Sequence, residues 1–99
     1  MKWTHEKFLD SHMIRTEYGK EKSVVLSITE VGSGVFFLLG SESGKPNLFP
    51  DAETPIGFQT PFGRHIIYHS THDTFDDALF VAATKVQPMV KLTLLSMVN

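Results

Sequence analysis

A chain of 99 residues holds one hydrophobic core and is too short for two, because the fraction of surface a fold can bury falls with length. Its 41 % hydrophobic and 20 % charged content excludes a disordered chain, and a formal net charge of −2, with nine basic and eleven acidic residues interspersed, offers phosphate backbones no positive block; no nucleic acid partner is expected. The absence of cysteine excludes disulfides, thiolate metal ligands and a thiol nucleophile, and fits a reducing, cytoplasmic setting.

The opening residues 1–10 carry Trp3, His5, Glu6 and Asp10 and lack a secretory apolar run, and no run approaches bilayer-spanning length, so no membrane association is expected. Over residues 2–11, Phe8, Leu9 and His12 stand at helical spacing after Thr4, which predicts a short helix or an irregular arm. Residues 12–18 then alternate. His12, Ile14, Thr16 and Tyr18 share one face and Met13, Arg15 and Glu17 the other, predicting a first strand at a sheet edge, where its charged face meets water.

Residues 19–22 form a polar hairpin connection with Gly19 available for positive φ, and residues 23–31 a second strand with Val24, Leu26 and Ile28 on its core face. Gly32, Ser33 and Gly34 supply a tight turn into a third strand over residues 35–41. That strand has no polar face at its start: Val35, Phe37 and Leu39 point one way, Phe36 and Leu38 the other, so it is central and covered on both sides. One helix covers one side only, and at roughly 1.5–3 kcal/mol per large apolar side chain, leaving Phe36 and Leu38 wet would sacrifice much of a small domain's stability.

Two segments are available as the second cover. The loop at residues 43–63, with Pro46, Pro50, Pro55 and Pro61, cannot hold a central strand or a long helix, yet carries Leu48, Phe49, Ile56, Phe58 and Phe62. It is either a fixed lid or a flap over a small pocket. The apolar tail at residues 89–99 fits a helix slightly better than a strand, because Leu94-Leu95 and Met97-Val98 break strand alternation.

Residues 64–70 read as the fourth strand, with Ile66 and Tyr68 opposite His65, Ile67 and His69. The main helix follows over residues 74–88, with an apolar stripe of Phe75, Ala78, Leu79, Ala82, Val86 and Met89, a Thr74 cap with Asp77 three residues on, and Asp76 and Asp77 at the positive end of the dipole. Pro88 should stop or kink it.

His69, His72 and Asp73 are the weak alternative for a metal site, since imidazole and carboxylate together suit zinc or iron, but they converge only if the turn folds back. A hydrolase reading recruits Ser70, His69 or His72, and Asp73; these are sequence neighbours, whereas nucleophile, base and acid usually come from distant segments. No GxSxG elbow or P-loop is present, and no cofactor is implied. In element order alone, strands followed by a helix resemble the second half of a double-stranded RNA-binding domain. That family presents basic residues at the start of the last helix; here Asp73, Asp76 and Asp77 stand there, and carboxylates repel phosphate.

The sequence therefore predicts a single α+β domain over residues 1–99: a four-stranded, mainly antiparallel sheet (residues 12–18, 23–31, 35–41 and 64–70) with a C-terminal helix on one face. The expected role is a non-catalytic binding or accessory module acting through contacts with itself or a protein partner, and a two-fold homodimer is the simplest way to hide a leftover apolar face. The alternative is a small-molecule- or metal-binding enzyme with its site between the 43–63 loop and the histidines of residues 65–72. Candidate contact residues are Phe58, Phe62, His65, Tyr68, His69, Phe80 and Val81, the last two as a flank of the helix stripe.

Overall fold

The computed structural model describes residues 1–57 and 63–97. The fold is α+β: an antiparallel sheet of five strands in the order β1-β2-β3-β4-β5, with a C-terminal helix packed on one face. The strands are β1 (Thr4–Phe8), β2 (Ser11–Gly19), β3 (Lys22–Val31), β4 (Val35–Ser43) and β5 (His65–His72).

The fifth strand is β1, where the sequence suggested a helix or an arm. All five of its residues are exposed, and it pairs with β2 from Thr4↔Arg15 to Phe8↔Ser11. An edge strand with two wet faces has no alternation to betray it, and its turn, with Leu9 at φ 55, uses a residue that seldom takes positive φ. In consequence β2, expected at the edge, is internal. At the next hairpin Glu21, not Gly19, takes the positive φ, at 58°, while Gly32 and Gly34 both do so at the β3–β4 turn, as their spacing implied.

Val24, Leu26 and Ile28 of β3, all fully or almost fully buried, define the helix side, and register carries Gly40, Leu38 and Phe36 of β4 onto the same side. The helix therefore covers Phe36 and Leu38, and Phe37 and Leu39 belong to the second face. A bulge between Gly40 and Ser41, opposite Ile67, resets β5. Gly40 is needed there: a Cβ would lie 3.2 Å from Leu26 Cδ2, 3.3 Å from Ile67 Cγ1 and 3.4 Å from Tyr68 Cβ. Because of the bulge, Ile67 and Tyr68 both join the helix-side core. His65 then pairs across with Glu42, while Ser70 and His72 pair with Leu38 and Phe36.

The second face is not bare, and the described parts of the two segments proposed for it pack elsewhere. Val25 and Ile66 are buried and Phe37 and Leu39 half-buried. Leu48 and Phe49 of the long loop pack into the helix-side core instead. The tail does the same, because the helix runs on through Pro88: α1 (Phe75–Val81), a π turn (Ala82–Val86) and α2 (Gln87–Ser96).

The π turn has a sequence cause. Ala78, Ala82, Val86 and Val90, all 0 % exposed, recur every four residues, whereas an α-helix turns about 100° per residue and would carry Val90 about 120° away from Ala78. One extra residue in a wide turn, marked by the Gln87 N–H to Ala82 C=O bond, removes about 100° of that drift and keeps the stripe on the sheet. The same turn lies immediately before Pro88, whose ring would otherwise clash with the Thr84 carbonyl.

Candidate functional site

The structure builds a buried polar lock at the lower end of the core. Glu42 is 1 % exposed, and its Oε1 accepts from the Leu48 N–H at 2.6 Å while Oε2 accepts from the Phe49 N–H at 3.1 Å. His65 Nε2–H donates to the Ala52 C=O at 2.7 Å, and Nδ1 lies 3.3 Å from Glu42 Oε2, placed for an ion pair when the ring is doubly protonated. These bonds tie both ends of the 48–52 segment to strands β4 and β5 and fix that part of the loop as a lid. His65, a candidate contact residue, is thereby a loop anchor.

Beside it, the hydroxyl of Tyr18 is buried without a hydrogen-bond partner. Gly44 makes room for it: a Cβ there would sit 2.6 Å from the oxygen. Burial first, then the Glu42 carboxylate, pushes the Tyr18 phenol above its ordinary value of 10.0, with Arg64 opposing. Both states hold the proton below pH 10, so this group leaves stability unchanged there. Above it the unfolded chain releases the proton more readily and stability falls. Tyr18→Phe should flatten that alkaline fall in urea midpoints measured from neutral pH to about pH 11, and an unchanged slope would contradict the assignment.

At the opposite end, His72 Nδ1 lies 2.6 Å from Asp77 Oδ2 and Nε2 lies 2.7 Å from Ser70 Oγ. In the neutral ring the carboxylate fixes the proton on Nδ1, and Ser70 donates to Nε2. The hydroxyl, imidazole and carboxylate thus stand in a row, assembled from β5 and the first turn of α1. Thr74 caps that turn, accepting from the Asp77 N–H at 3.0 Å; Asp77's own carboxylate turns to His72 and does not close a capping box. What the row does is join the helix start to the edge strand. A nucleophile also needs a substrate cleft and oxyanion donors, and none of three surface clefts, of about 540, 420 and 340 Å³, is lined by Ser70, His72 or Asp77.

Strand β5 extends to His72, so residues 69 and 72 fall on opposite faces. His69 stacks on Phe37, with centroids 6.4 Å apart, while His72 is under the helix. Among the described residues no group of three His, Cys, Asp or Glu side chains is placed to hold a metal ion. Tyr68 packs against the core with Lys85 Nζ 5.3 Å from its ring centroid. Phe58 and Phe62 lie outside the described residues.

The cleft of about 540 Å³ has Ile28, Phe36 and Phe75 among its walls and a charged rim of Lys7, Asp10 and Glu30. The helix-flank pair divides: Val81 packs against the core, and Phe80 is 65 % exposed. Leu92, Leu95 and Met97 are also more than half exposed. The helix Phe75–Ser96 has 22 residues and an 18-residue window of mean hydropathy 1.3, enough by length and composition to cross a bilayer, contrary to the sequence expectation; here one side of it covers the sheet. The chain matches no known family model, no curated protein and no solved structure.

Proposed function

We propose that this small domain, whose described residues hold no obvious catalytic or metal-binding constellation, is a non-catalytic interaction module that self-associates through the outward side of its helix. The observation that carries the reading is the exposure of Phe80, Leu92 and Leu95. Phe80 and Leu92 are twelve residues apart, the same interval as the buried pair Ala78 and Val90, and span the same π turn, so they share one side of the helix. From Ala78 to Met97 the only charges are Lys85 and Lys91. A side with bulk at both ends and Ala83 and Thr84 between suits an antiparallel two-fold pair, in which Phe80 of one copy meets Leu92 and Leu95 of the other.

Light scattering during size exclusion, from about 10 to about 500 µM, is expected to give a dimer whose dissociation constant weakens at least tenfold in Phe80→Glu with Leu92→Glu. Both positions are exposed, so the thermal midpoint of the variant's monomer should hold. A monomeric wild type across that range removes the proposal.

A further inference from the structure

The cleft of about 540 Å³ shares no residue with the outward side of the helix and carries an inference independent of it. Register explains its make-up. Lys7 stands opposite His12, His12 opposite Ile28, and Glu30, two residues beyond Ile28, opposite Phe36, so all five share the face on which the helix lies. Asp10 enters from the β1–β2 turn, Gly32 from the β3–β4 turn and Phe75 from the start of α1.

The apolar floor is built before any ligand arrives. Ile28 is buried, and the Phe75 ring meets His12 edge-on at 5.4 Å between centroids and Phe36 edge-on at 6.3 Å. His12 is held in turn by its Nε2, 3.3 Å from His5 Nδ1, and serves the cleft as a ring wall. Phe36 and Phe75 are half-buried, so the core leaves part of each ring to the cleft.

The rim is different in kind. Lys7, Asp10 and Glu30 are exposed, and none of them forms a side-chain hydrogen bond or ion pair with a described residue, although opposite charges border one cleft. Lys7 on β1 and Glu30 on β3 stand two strand spacings apart, about 10 Å at ~4.8 Å each. That span fits a ligand with an ammonium and a carboxylate of its own, each making a charge-assisted bond of about 2.8 Å to the rim.

We propose that this cleft binds a zwitterionic α-amino acid with an apolar side chain. The ligand carboxylate meets Lys7, its ammonium meets Glu30 and Asp10, and its side chain lies on Ile28, Phe36 and Phe75. The volume falls in the range of small-ligand sites.

The test is isothermal titration with L-phenylalanine and L-leucine, beside phenethylamine, which lacks the carboxylate, and N-acetylphenylalanine, which lacks the ammonium. Saturable one-to-one binding of an amino acid with a dissociation constant of about 1 mM or below, weakened at least about tenfold in both analogues, is the expected result. Lys7→Gln with Glu30→Gln should weaken it as much at unchanged thermal midpoint, since both positions are exposed. Lys7→Gln alone should weaken phenylalanine and leave phenethylamine as it was. No saturation by about 10 mM of either amino acid, phenethylamine bound as tightly as phenylalanine, or binding that the double variant leaves intact overturns the proposal.

Discussion

Glu42→Ala is expected to cost about 3–5 kcal/mol of folding stability, the largest loss of any single polar substitution in the described core. The carboxylate is 1 % exposed and receives the N–H groups of Leu48 and Phe49, with His65 beside it. Truncation leaves two backbone donors and an imidazole facing a cavity, and each buried donor without an acceptor costs about 1–3 kcal/mol. Against a total of about 5–15 kcal/mol for a domain of this size, that brings the protein close to unfolding. Glu42→Gln retains one acceptor oxygen and should lose less. Urea titrations of both variants decide it: equal midpoints, or an alanine variant within 1 kcal/mol of wild type, would show that the loop is held by other means.

Leu38→Ala should cost about 2–5 kcal/mol and Leu39→Ala distinctly less, although the two are neighbours of the same type. Leu38 is 0 % exposed between the sheet and the helix, so its removal leaves a cavity among side chains that cannot all collapse into it. Leu39, half-buried on the second face, has room to relax and solvent to replace it. The same denaturation experiment reads both. Equal losses would mean that the second face is packed as tightly as the first.

Much of the architecture was legible because it is written in apolar periodicity. Val24, Leu26 and Ile28 marked a strand, and the Ala78, Ala82 and Val86 stripe marked the helix that lies on it. β1 was not legible, because Thr4 to Phe8 bury nothing and a strand read from alternation needs a buried face. The faces of β5 were misread for a different reason. One bulged residue at Ile67 inverts a period of two, and only Gly40, opposite it, hinted at a close backbone approach. Four-residue spacing from Ala78 to Val90 did hold the signal for the π turn, since an α-helix cannot keep that interval on one side.

The polar features were harder to foresee. Glu42 ends a strand beside Ser41 and Ser43 and looks like an ordinary surface carboxylate; its burial depends on Leu48 and Phe49 folding back to offer two N–H groups. The Ser70, His72 and Asp77 row was missed in part because the aspartate that completes it lies on the helix, beyond the nearer Asp73. Of the candidate contact residues that the structure describes, Phe80 alone combines strong exposure with a place on a surface of similar residues.

The sequential strand order has a kinetic consequence. β1 to β4 are neighbours joined by turns of two or three residues, so their ladder can zip up from local encounters, whereas β5 must first close the stretch from residue 44 to residue 64. Closing a loop about ten times longer than a hairpin turn costs roughly 2 kcal/mol more in chain entropy. The meander through Ser43 is therefore the natural nucleus, with β5 and the helix docking after it.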